Sequence, residues 1–95
     1  MHTYRVIGLM SGSSLDGLDI AYCIFTYNNS KWHFEIKETT VVPYSEAWIH
    51  NLKNLPSLDS KTLWQTHAAL GNYFGICVKN FIAQHQLNGK VDLVA

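Results

Sequence analysis

The sequence has no surplus of charge, no metal-binding motif and no long apolar run, and each absence closes a class of function. Seven basic side chains meet seven acidic ones, for a formal net charge of zero. Chains that grip nucleic acid or an anionic bilayer carry a basic surplus to displace counterions, so neither is an expected partner. There are two cysteines, Cys23 and Cys77, with no CxxC spacing and no adjacent histidine that would make a zinc site. The residues alone leave a disulfide open, but free thiols buried in a reducing cytosol are the expectation. The five histidines make neither HxxxH nor HExxH. No stretch approaches the ~18 consecutive apolar residues of a membrane span. Met1 to Gly8 holds no signal-peptide core, which makes the cytoplasm the expected location. A Gly-Lys-Ser/Thr P-loop and a GxGxxG turn opening a helix are both missing.

What is present is material for a core: 47% of residues are hydrophobic and 13% aromatic, too many for a disordered chain. A length of 95 residues suits one small domain or part of a larger one. Tyr4–Met10 reads as a strand with apolar residues on both faces, Tyr4, Val6 and Met10 on one and Ile7 and Leu9 on the other. That pattern predicts a strand covered on both sides. Leu18–Tyr27 is a second strand, followed by a turn at Asn28-Asn29-Ser30, where asparagine tolerates positive φ. From Trp32 to Val42 apolar and polar residues alternate, as in a half-exposed strand near a sheet edge. Pro43 ends it. Ser45 and Glu46 open a short helix that finishes near Asn54. Asp59 or Ser60 caps a long helix to about Gln86, stopped by Asn88-Gly89. Its expected buried face is Leu63, His67, Leu70, Phe74, Cys77, Val78 and Phe81. Gly71 and Gly75 within it predict close backbone packing. Trp32, Trp48 and Trp64 are expected in the core, His67 as a core histidine, and His33, His50 and His85 on exposed faces. Val91–Ala95 begins another strand. A strand meander followed by a helical crossover into a further strand defines a mixed α/β sheet.

Chemistry concentrates between the first two strands, at Met10-Ser11-Gly12-Ser13-Ser14-Leu15-Asp16-Gly17-Leu18-Asp19. Small residues and hydroxyls let phosphate oxygens approach inward-pointing backbone N–H groups. Asp16 and Asp19 add carboxylates for Mg²⁺, which keeps most of its waters and needs only one or two such ligands. Asp19 has its direction fixed by the strand pleat, whereas Asp16 lies in the turn. On the residues alone, an ordinary hairpin turn built from Ser, Asp and Gly accounts for the same pattern. A serine-nucleophile elbow does not, because it needs a helix after the turn.

From Val6 to Asp19 the sequence closely resembles the opening signature of the anhydro-N-acetylmuramic acid kinases, I-G-x-M-S-G-T-S-x-D-G-[ILV]-D. Ser13 is the one departure, replacing threonine and keeping its hydroxyl. Leu63–Phe74 and Val91-Asp92-Leu93-Val94 are similar to the family's route to its next strand. The resemblance implies a ribonuclease-H-like half-domain of the actin/hexokinase-like ATPase class, with residues 1–95 the N-terminal part of its first subdomain, cut short at Ala95. It implies an ATP-dependent kinase that opens the 1,6-anhydro ring of anhydro-N-acetylmuramic acid and phosphorylates O6, in murein recycling. Gly12, Ser13, Ser14, Leu15, Asp16, Gly17, Leu18 and Asp19 would then form the ATP phosphate loop, and Asp16 and Asp19 would face Mg²⁺. The family's catalytic aspartate lies downstream, so no residue here takes that role and the 95 residues alone are expected to be inactive. The implied partner is the anhydro-sugar, with room for a homodimer. Two alternatives stay open: a kinase of the same class with another acceptor, and a non-catalytic α/β module acting through its surface.

Overall fold

The computed structural model describes residues 2–11, 17–54, 57 and 59–95. Strands β1 (His2–Ser11), β2 (Gly17–Asn28) and β3 (Lys31–Pro43) are followed by helices α1 (Glu46–Lys53) and α2 (Ser60–Gln84), then by strand β4 (Leu93–Val94). The four strands form one sheet in the order β3-β2-β1-β4. β1–β2 and β2–β3 are antiparallel, and β4 runs parallel to β1. The expected mixed α/β meander with a helical crossover is thus the observed architecture.

Local chemistry accounts for most boundaries. Asn28 pairs with Lys31 across a two-residue loop in which Asn29 and Ser30 have φ of 53° and 62°, the positive-φ turn that matches strand twist. Ser45 Oγ accepts from Trp48 N at 3.2 Å and Asp59 Oδ1 from Thr62 N at 2.7 Å, so each helix begins where a short polar side chain satisfies an orphan N–H. The end of α2 departs from expectation. The helix stops at Gln84, with Gln86 at φ 56°, and Asn88-Gly89 lies beyond it. Gln86 N donates to Ala83 O at 3.3 Å and Leu87 N to Ile82 O at 2.9 Å, a Schellman closure. Buried Leu87 supplies the hydrophobic contact that holds it despite a residue poorly suited to positive φ.

One face of the sheet is covered. Ile7, Leu18, Ile20 and Tyr22 point at Phe81, Cys77, Leu52 and Leu87, and together with Tyr44 they form the core. Full burial of Phe81, Ile7, Leu18 or Ile20 stabilises by about 1.5–3 kcal/mol each. Tyr22 Oη donates to Lys90 O at 2.7 Å, tying the segment after α2 to the sheet. A bulge between Tyr22 and Cys23 pairs Tyr22 with Glu38 but Cys23 with Ile36. It flips the alternation of β3, so Trp32, Phe34 and Ile36 share the opposite face while Val42 turns toward the helices.

That opposite face corrects the expectation of two-sided cover. Tyr4, Trp32, Ile36, Val41 and Leu93 are exposed, as are Met10 (66%) and Phe34 (69%). Both-face apolarity calls for cover without saying what supplies it. Helix α2 corrects further expectations. Leu63 and His67 are exposed rather than buried, because apolar packing of this helix on the core starts at Leu70. A Cβ built on Gly71 or Gly75 meets nothing within 4 Å, so no backbone packs there. Trp64 (72%) and Trp32 (61%) are exposed, and of the tryptophans only Trp48 packs against the core. His85, expected on an open face, is half-buried 3.4 Å from Glu38 and stacked on Phe81 at 4.6 Å. Cys77 is buried and Cys23 half-buried; both are free.

Candidate functional site at the β1–β2 junction

The segment that joins β1 to β2 leaves from Ser11 and returns at Gly17. Gly12, Ser13, Ser14, Leu15 and Asp16 lie outside the described residues; Gly17, Leu18 and Asp19 are described, and all three begin β2. Gly17 is required by space. A Cβ there would stand 2.9 Å from Val42 O and 3.1 Å from a Val41 methyl carbon, so β3 approaches more closely than any side chain allows. Leu18 is fully buried under the helices and serves the core. Asp19 is exposed on the other face, paired across β1 and β3 with Met10 and Val41.

Asp19 stands at the end of a groove of about 710 Å³. Its floor is the row Gly8, Ala21 and Thr39, paired in register across three strands, where small side chains leave depth. Met10, Asp19 and Val41 form the next row. The groove is apolar apart from Asp19 and the threonines, and it opens on the uncovered face beside the junction. Among the described residues there is no group of three or more His, Cys, Asp or Glu that would cage a metal. A hard cation held through one carboxylate and waters, as Mg²⁺ usually is, needs no such group, and the exposed Asp19 fits that chemistry.

The stems of the junction are held by one short stretch of chain. Pro43, the last residue of β3, pairs with Gly17. The next residue, Tyr44, is 6% exposed and its hydroxyl lies 2.6 Å from Ser11 Oγ. Tyr73 meets the Tyr44 ring edge-on at 6.2 Å and the Trp48 ring at a tilt, 5.3 Å away. Burial pushes the Tyr73 phenol up from its ordinary pKa, with a hydrogen bond to Cys77 adding to the effect. Ser11, expected among the phosphate-facing hydroxyls, instead lies on the helix side. The sequence reading passed over Tyr44, which carries no motif; its place directly after a strand-ending proline is the only signal.

At the far end, Asp92 clamps β4. Arg5 Nη2 donates to Asp92 Oδ1 at 2.9 Å, while Arg5 Nε and backbone N donate to Oδ2 at 3.2 and 2.8 Å. Asp92 N returns a 2.8 Å bond to Arg5 O. These bonds hold the Asp92 carboxyl below its ordinary range and raise Arg5. Asp92 had drawn no attention in an otherwise apolar run.

Gly17 and the Asp19 carboxylate thus stand at the exit of a junction between antiparallel strands, with an α/β crossover behind it. The chain belongs to the anhydro-N-acetylmuramic acid kinase family, which matches residues 4–95. It is 32% identical over 94 residues to the anhydro-N-acetylmuramic acid kinase of Pseudoalteromonas translucida (strain TAC 125), covering 95% of this chain and 23% of that protein. It is 28% identical over 87 residues to the protein of that name from Francisella tularensis subsp. novicida (strain U112), covering 88% of this chain and 23% of the relative. The chain therefore spans about a quarter of the length of these curated relatives. No helix among the described residues is long and apolar enough to cross a membrane.

Proposed function

We propose that residues 1–95 are the N-terminal part of an ATP-dependent anhydro-N-acetylmuramic acid kinase, forming the ribonuclease-H-like half-domain that carries its phosphate loop. The family match over residues 4–95 carries this reading. Gly12, Ser13, Ser14, Leu15, Asp16, Gly17, Leu18 and Asp19 form the loop and its exit. Backbone N–H groups and hydroxyls from Gly12 to Ser14 receive the ATP phosphates, while Asp16 and the exposed Asp19 serve Mg²⁺. Such a loop works by positioning and by stabilising charge on the transferring phosphoryl group.

In the reaction the C1–O6 bond of the anhydro-sugar breaks, water supplies the new oxygen at C1, and O6 takes the γ-phosphoryl group. The products are N-acetylmuramic acid 6-phosphate and ADP, made in the cytoplasm during murein recycling. The acceptor site and the base that activates water belong to residues outside these 95. ATP-dependent phosphorylation by the full-length protein, with anhydro-N-acetylmuramic acid, N-acetylglucosamine and glucose offered in parallel, tests the reading. Turnover confined to the anhydro-sugar and abolished by Gly12→Val and Asp16→Ala is expected. Turnover retained in both variants removes the loop from the mechanism, and preference for glucose moves the protein to another acceptor class.

A further inference from the structure

The geometry points to Tyr44 as a positioning residue for nucleotide binding, acting through Ser11; this rests on the phosphate-loop reading above. The two stems of the Ser11–Gly17 junction are fixed by consecutive residues of a single segment. Val42 and Pro43 hold the returning stem: Gly17 pairs with Pro43 and lies so close to Val42 O that no Cβ fits between them. Tyr44 holds the departing stem, its hydroxyl 2.6 Å from Ser11 Oγ.

The Tyr44 side is the adjustable one. Pairing of Gly17 with β3 is backbone to backbone and uses no polar side chain. Ser11 is the last residue of β1, and its side chain is fixed by one hydroxyl from 33 positions away. That hydroxyl is itself immobilised: Tyr44 is buried, and Tyr73 stands edge-on to its ring with Trp48 behind. A 2.6 Å contact between the buried Tyr44 hydroxyl and the hydroxyl of the exposed Ser11 is a short, directional bond. Tyr44 does not line the open groove, so its influence on the site passes through the strand end from which the loop departs. Small displacements of a positioning element cost binding or rate without touching the chemistry.

Tyr44→Phe removes the hydroxyl and keeps the ring; Ser11→Ala removes the other partner. In the full-length kinase each is expected to raise KM for ATP about five- to tenfold, through displacement of the stem from which the loop departs. KM for the acceptor stays within about twofold, and the melting transition falls by at most a few degrees, since the same bond is lost from the folded state. The double variant should match either single one, because both remove the same bond. A lesion that merely unfolds a fraction of the enzyme would lower kcat and leave both KM values alone, and that outcome overturns the proposal. So does an unchanged KM for ATP, or an additive double variant. Gly12→Val, assayed alongside, separates the two readings. If it is inactive while Tyr44→Phe behaves as wild type, only the role of Tyr44 falls. If it retains full turnover, the phosphate loop falls and the role of Tyr44 falls with it.

Discussion

The two faces of the sheet are built from the same residue types and have opposite fates. On one, Ile7, Leu18 and Ile20 are sealed beneath Phe81 and Cys77. On the other, Met10, Trp32, Phe34 and Val41 are exposed, with aromatic pairs such as Tyr27–Trp32 at 5.1 Å and Phe25–Phe34 at 6.2 Å lying in the open. Hydrophobicity therefore does not distinguish them; the crossover through α1 and α2 does, because it lays both helices on one side. The uncovered face also holds the groove and Asp19, so the candidate site lies on the face with least packing of its own. Exposed apolar area of this extent marks a contact surface or an aggregation hazard.

Deleting an aromatic ring from each face should break the symmetry of composition most sharply. Phe81→Ala removes a ring that is 1% exposed and should cost about 3–5 kcal/mol, through lost transfer energy and the cavity left behind. Phe34→Ala, at 69% exposed, should change the stability of the 95-residue chain by no more than about 0.5 kcal/mol. Urea melts of both variants make the test. A cost near that of Phe81→Ala at Phe34 would mean that something covers the outer face in solution.

Glycines give a second contrast of intermediate size. Gly17→Ala forces a Cβ within 2.9 Å of Val42 O, which is backbone and cannot swing aside, and should cost about 1–3 kcal/mol. Gly75→Ala places a methyl in open space on an exposed turn of α2 and should stabilise by up to about 1 kcal/mol through helix propensity alone. Thermal melts that show Gly17→Ala to be neutral would contradict the close approach of β3 at the loop exit. Destabilisation by Gly75→Ala would show that a neighbour packs on that turn.

What could be read in advance was local. Ser45 and Asp59 announce their helices because a cap needs only an oxygen within three residues of an N–H, and Asn29-Ser30 announces its hairpin because the turn needs positive φ. The strand–strand setting of the loop followed from the two apolar runs that flank it, whereas which face Asp19 takes did not. What stayed hidden depends on partners distant in sequence. The bulge opposite Tyr22 interrupts no obvious hydrophobic pattern, since Ile36, Lys37 and Glu38 fit either register. Gln86 closes α2 only because Leu87 has somewhere to bury itself. Tyr44 and Ser11, or Arg5 and Asp92, become partners only when the sheet brings them together. The open outer face was misjudged for the same reason: apolar side chains state a need for cover, and topology decides whether it is met.

The smallest effect belongs to the edge where the two faces meet. β4 is two residues long and both are exposed, so its attachment relies on backbone pairing with β1 and on the Arg5–Asp92 fork. Asp92 has a folded-state pKa below its ordinary value, chiefly because Arg5 hydrogen-bonds its ionised form. A depressed carboxylate contributes stability that is fully present above the unfolded pKa, near 3.9, and is lost as pH falls through the folded value. The raised Arg5 titrates far above any working pH and adds no slope of its own. Both side chains are more than a third exposed, so solvent and salt screen the pair and the effect is modest. Melting temperature should accordingly fall more steeply below about pH 4 for the natural sequence than for Asp92→Asn, and the difference should shrink in high salt. Amide exchange at Ala95, whose N–H donates to Ile7 O at 2.8 Å, should quicken in the variant while Ile20 stays protected. Equal acid slopes in the two proteins would assign β4 to backbone pairing alone and leave the fork without a role in closing that edge.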